Sequence, residues 1–205
     1  MRKLVVTESV SVDGVMQAPG GPNEDTDGGF AHGGWVAPHF DEELGGLAVE
    51  GALRPDALLL GRRTYEIFAA HWPRVTGDDP IAVKLNAMPK YVASRTLEAV
   101  EWNNSTLIAG DVVEAVAELK EAPDGEIRVY GSGNLVQTLL ANDLVDELHL
   151  WVFPVLLGEG KRLFAEGTRP AGLELAGATS SGSGVVVQTY RRAGGVQTGS
   201  FELDD

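Results

Sequence analysis

The stretch Ile127-Arg128-Val129-Tyr130-Gly131-Ser132-Gly133-Asn134-Leu135-Val136-Gln137-Thr138-Leu139-Leu140 decides the fold. Its β-branched and aromatic first part predicts a strand over Glu126–Tyr130. Gly131-Ser132-Gly133 reads as a tight turn, and the apolar spacing that follows predicts a helix over 134–141. A glycine pair at a strand's carboxyl end lets the backbone approach a phosphate, and the next helix's N-terminus supplies amide donors and a positive dipole end. The full dinucleotide fingerprint wants a third glycine, where Val136 stands instead. On its own the segment is therefore more often only a turn.

The same arrangement recurs elsewhere in the chain. Ala57–Gly61 is a short apolar run, read as a buried strand, and Arg62, Arg63 and Thr64 open the helical stretch behind it. Tyr91–Ser94 predicts another strand, with Ser94 and Arg95 at its end. Arginine forks suit phosphate oxygens, and in open α/β sheets ligands bind outside the carboxyl ends of strands. The plain reading of each arginine is a surface salt bridge.

Around these lie a first strand over Leu4–Val15, central in a sheet, and a long glycine-rich loop over 17–37 carrying Phe30, His32 and Trp35. Helical spacing follows from Phe40 to Ala52, then a short helix opens at Asp79-Pro80, and Asp111 caps a further helix. Strands are expected at Thr106–Ile108 and Glu147–Val152, and a hairpin over 173–191 closes the pattern. Alternating strands and helices followed by a hairpin predict an α/β fold, with a mostly parallel sheet and an antiparallel C-terminal edge. One domain is expected over 1–193, with a loose tail over 194–205.

Composition narrows the function. The 205 residues hold 16 Lys+Arg against 30 Asp+Glu, a formal net charge of −14. That balance argues against nucleic acid and anionic membrane as partners. Cysteine is absent, which removes disulfides, thiolate metal sites and cysteine nucleophiles. The apolar run Leu4-Val5-Val6 is too short for a secretory leader, so a cytoplasmic protein is expected. Asn23, Asp25, Asp27 and Gly28 imitate part of a calcium loop, but its twelfth position is Gly34 and no amphipathic helix precedes it. No metal is expected. No Gly-x-Ser-x-Gly elbow is present either.

Taken in order, VSVDGV, LLLGRRTYE, PKYVASRTL, IRVYGSGNLVQTLL and VDELHLWVFPVLLGEGKRLF resemble the dihydrofolate-reductase-like superfamily. The resemblance covers residues 2–192 and is strongest to the branch formed by the reductase domain of the riboflavin-biosynthesis deaminase-reductase (the RibD C-terminal domain). It implies a three-layer α/β fold, an NADPH cofactor and hydride transfer to a small heterocyclic, imine or carbonyl substrate. Gly61, Arg62, Arg63 and Thr64 would then lie along the cofactor's phosphates, Ser94 and Arg95 beside the adenosine 2′-phosphate, and Gly131, Ser132, Gly133, Asn134 and Leu135 at the pyrophosphate. Folate reductases carry a catalytic carboxylate on the helix after the mobile loop, and that position falls here near Gly45-Gly46. The carboxylates left as catalytic candidates are Asp13 and Glu43, with Phe30 and Trp35 as candidate substrate walls. A homodimer is expected from the apolar HLWV and FPVLL segments. The competing reading is a non-catalytic nucleotide-binding or dimerisation module of the same fold.

Overall fold

The computed structural model describes residues 1–201. Its eight strands form one sheet: β1 (Lys3–Ser11), β2 (Ala57–Gly61), β3 (Lys90–Ala93), β4 (Ser105–Ile108), β5 (Glu126–Tyr130), β6 (Glu147–Phe153), β7 (Leu173–Ser180) and β8 (Val186–Arg192). Their order is β4-β3-β2-β5-β1-β6-β8-β7. The first six run parallel, while β8 pairs antiparallel with β6 and β7 with β8. Five helices connect them: α1 (Glu42–Leu53), α2 (Arg62–His71), α3 (Pro80–Ala87), α4 (Val112–Glu121) and α5 (Gly133–Ala141). No helix among the described residues is long and apolar enough to cross a membrane. Residues 194–201 are exposed and irregular, and the rest of the expected tail, 202–205, lies outside the described residues.

The central strands are covered on both faces, which is why they read as near-continuous apolar runs. On one face Leu4, Val6 and Val10 of β1 pack with Ile127, Val129, Leu148 and Leu150 against α4 and α5, through Val116, Leu135, Val136 and Leu139. On the other, Phe153 meets Leu44 of α1 together with Trp35, Phe30 and Val185, while Leu58 and Leu60 meet Tyr65, Leu85 and Trp102 nearer α2 and α3. β1 is shorter than its β-branched run suggests. It ends at Ser11, and Gly14 turns the chain at φ +83° so that Val15 bridges Arg162.

The long loop after β1 is ordered around one side chain. Gln17 is buried, and its amide donates to the carbonyls of Asp25 (3.1 Å) and Asp27 (2.9 Å) while accepting from the Lys161 amide at 3.0 Å. Trp35 Nε1 returns to the Gln17 carbonyl at 2.8 Å. The segment HLWV lies in the interior strand β6, paired by β1 on one edge and β8 on the other, with Leu150 buried. Its apolar character serves the sheet. The exposed strand is β7, which shows Leu173 and Leu175 to solvent.

Glu147 joins the first strand to the closing hairpin, accepting from Lys3 Nζ (2.8 Å) and Arg191 Nε (3.1 Å). Burial pushes its carboxyl up, but the hydrogen bonds from Lys3, Arg191 and His149 outweigh burial and leave it at about 2. With the folded value below the ordinary one near 4.5, the ionised group stabilises the fold above that pH. The contribution is lost as pH falls toward 2. Glu147→Gln is therefore expected to cost about 2 kcal/mol at pH 7. In urea titrations its deficit against the wild type should shrink as pH drops from 4.5 to 2; a deficit independent of pH would contradict this.

Candidate functional site: a cleft where two central strands part

The chain leaves β1 toward the face covered by α1 and leaves β5 toward the face covered by α5. Neighbouring parallel strands whose crossovers depart to opposite faces open a crevice at their carboxyl ends, the position where α/β sheets bind ligands. Here the ladder between β1 and β5 ends at Thr7–Tyr130. A cleft of about 1260 Å³ begins there and runs past the ends of β2 and β3.

One half of the cleft is built for anions. Helices α1, α3 and α4 each start with an aspartate cap, in which Asp41, Asp79 and Asp111 accept from first-turn amides. Helices α2 and α5, whose first turns line the cleft, have no side-chain cap. Helix α2 instead begins Arg62-Arg63, with no acidic residue in its first turn. Cations at a helix N-terminus oppose the dipole, so this arrangement suits a ligand that brings its own negative charge. Arg62 pairs with Glu66 at 3.3 Å, and Arg63 reaches Asp25 (3.5 Å) and Asp27 (3.7 Å). Arg95 has no ion-pair partner among the described residues.

Some residues that look like ligand contacts in the sequence hold the turns together. The Ser132 hydroxyl donates to Tyr130 O (3.0 Å) and accepts from Gly61 N (2.9 Å), and Ser132 N donates to Thr64 Oγ1 at 3.0 Å. These bonds join the β2–α2 and β5–α5 turns. Gly131 is required at this junction, since its φ is +54° and a Cβ would come within 2.9 Å of Thr64 Oγ1. Ser94 Oγ accepts from Thr96 N and Leu97 N and shapes the turn that carries Arg95. Gly61, Arg62, Arg63, Thr64, Ser94, Arg95 and Gly131–Leu135 all line the one cleft.

The four other candidates lie elsewhere. Asp13 accepts from Leu157 N (3.1 Å), Gly158 N (2.8 Å) and Ser11 Oγ (2.6 Å), bonds that bring its carboxyl down to about 2 and tie the 157–158 turn to β1. Glu43 accepts from Gly182 N at 3.3 Å, at the far hairpin turn. Phe30 and Trp35 are core residues, with Trp35 edge-on to Phe153 at 5.4 Å. None of the four lines the cleft.

The other half of the cleft was not evident from the sequence. Beneath α1 the sheet presents Thr7, Arg128, Tyr130, His149, Trp151 and Thr189. Arg128 is buried, paired with Glu126, and donates to Thr7 Oγ1 at 2.7 Å. Burial, reinforced by the Arg128 charge, lowers the His149 pKa, so its ring is neutral at pH 7. The available signal was a charged residue in mid-strand: an arginine in IRVY and a glutamate in VVTESVS, the latter in the strand expected to be central.

A mostly parallel sheet with this order, a switch-point cleft and a closing hairpin defines the dihydrofolate-reductase-like fold. Within it the chain belongs to the RibD C-terminal domain family, whose profile matches residues 2–187. It is 29% identical over 194 residues to the uncharacterized protein YyaP of Bacillus subtilis (strain 168), covering 92% of this chain and 94% of that one. A putative riboflavin biosynthesis protein from Shewanella sp. PV-4 superposes with TM-score 0.66 at 24% identity, over 93% of this chain and 99% of that one. A dihydrofolate reductase from Enterococcus faecalis in complex with NADP(H) does so at 0.57 and 15%, over 93% and 96%. The two superpositions show a shared fold, and the family match suggests a reductase-type or NADP-binding role.

The loop that walls the cleft is pinned from one side by Lys161, whose ammonium reaches Asp25 (2.6 Å) and Asp27 (2.8 Å). Lys161→Met is expected to raise amide hydrogen exchange in residues 18–30 several-fold while leaving β1 and β5 protected, as read by mass spectrometry. Uniform exchange in variant and wild type would show that the Lys161 ammonium does not order the loop.

Proposed function

We propose that the protein is an NADPH-dependent reductase that transfers hydride to a small heterocyclic, imine or carbonyl substrate. The observation that carries this reading is the pair of uncapped helix N-termini beside Arg62, Arg63 and Arg95, all on one cleft in a chain of net charge −14. Arg95 would take the adenosine 2′-phosphate, with Ser94 setting its turn. Arg62, Arg63 and the first-turn amides of Gly133, Asn134 and Leu135 would hold the pyrophosphate. The donor set fits, since it offers forked cations and unshared amides where an anion is required.

Bound there, NADPH supplies a hydride from its nicotinamide ring, and the protein's tasks are to position it and to exclude water. The substrate would lie beneath α1, on the sheet residues opposite that helix. Thr7, Thr189 and the neutral His149 offer donors and acceptors there, and Trp151 and Tyr130 offer flat apolar faces. Such a surface suits a planar polar ring.

NADPH at about 100 times its dissociation constant should stabilise the protein by about 2.7 kcal/mol in thermal or urea unfolding. Arg95→Ala should weaken NADPH about 10- to 100-fold, the worth of a charged hydrogen bond. NADH should change by less than about threefold, because it lacks the 2′-phosphate the arginine would hold. Equal losses for both cofactors, or no stabilisation at all, would overturn the assignment.

A further inference from the structure

Glu8 stands one residue beyond the last β1–β5 pair, where the two strands part. It is 4% exposed and shares the α5 face with Val6 and Val10, yet it lines the cleft beside Gly131. Its Oε2 is buried with no hydrogen-bond partner. An unsatisfied buried carboxyl oxygen is costly to the fold, and the cleft is the direction from which a partner can come.

We propose, on the footing of the NADPH reading, that Glu8 is a positioning residue that holds the carboxamide of the nicotinamide ring. Burial drives its pKa well above the ordinary value, and the nearby Glu24 carboxyl adds to this against the backbone amides of Ser9 and Gly131. Burial therefore favours the protonated acid, which has one O–H to donate and one carbonyl to accept. A primary amide presents the complementary pair side by side, so acid and amide close a ring of two hydrogen bonds. A phosphate is the wrong partner, because it would sit against two carboxyls. The substrate is also the wrong partner, since the neighbouring Thr7 points to the opposite, α1 face, where it meets Arg128. Along the cleft from Arg95, Glu8 lies where the uncharged end of the cofactor would enter, past the Gly131 turn.

The test compares wild type, Glu8→Ala and Glu8→Gln by fluorescence titration or calorimetry with three probes. These are NADPH, its 3-acetylpyridine analogue (a methyl ketone in place of the carboxamide) and adenosine 2′,5′-bisphosphate, which has no ring. Wild type should prefer NADPH over the analogue by about 10-fold, and Glu8→Ala should lose both that preference and about 10-fold in NADPH affinity, the worth of the paired hydrogen bonds. The bisphosphate should bind all three proteins alike, and Glu8→Gln, still a donor and acceptor, should recover most of the NADPH affinity. A preference that survives in Glu8→Ala overturns the proposal, as does an equal loss for NADPH and the bisphosphate. Wild type that binds neither NADPH nor the bisphosphate overturns the cofactor reading itself, and this inference with it.

Discussion

Parallel strands cannot be joined by tight turns, so each crossover must choose a face of the sheet. In this molecule the choice made after β1 and the opposite choice made after β5 force two hydrogen-bonded neighbours apart at their carboxyl ends. The cleft, the two turns that flank it and the separation of its two halves follow from that divergence. Side chains on β1 make the point most plainly. Thr7 and Glu8 are adjacent, yet one meets Arg128 beneath α1 and the other is enclosed toward α5. The pleat of a single strand thus assigns two consecutive residues to two compartments of one site.

Electrostatics are distributed on the same plan. Helices α1, α3 and α4 satisfy their first turns internally with aspartates, whereas α2 and α5 leave theirs open. The acidic excess of the chain is therefore not spread evenly. Carboxylates close three helix ends and pin a loop through Lys161, while Arg62, Arg63 and Arg95 line the cleft onto which the two open helix N-termini face. Arg63 belongs to both systems, since it faces the cleft and also reaches the loop carboxylates Asp25 and Asp27.

Strand–glycine–helix junctions were legible in the chain because they depend on local chemistry, a β-branched run, a turn and an amphipathic repeat. The residues at those junctions do come together along one cleft. The carboxylates and aromatics were not legible, for a physical reason. Asp13 before Gly14 has the composition of a turn residue, and only the tertiary structure brings the 157–158 amides to it. Trp35 stands in a glycine-rich loop, and only the fold of that loop around Gln17 turns its ring onto Phe153. Periodicity shows that a strand has two faces but not what covers each, so Glu8, Arg128 and His149 passed as ordinary strand residues. A charge in the middle of a central strand carried more information than the aromatics of the loop.

The position of β1 in the sheet also has a kinetic consequence. Its hydrogen-bonding partners are β5 and β6, which begin at Glu126 and Glu147. At a synthesis rate of 5–20 residues per second, roughly 6–25 s separate the appearance of β1 from that of its first partner. During that interval a central strand of the protein has both edges bare, and the sheet cannot nucleate around it. Closure of such distant pairs is slow even in a complete chain. The nascent polypeptide must then keep Leu4, Val5 and Val6 from other chains until β5 has been made.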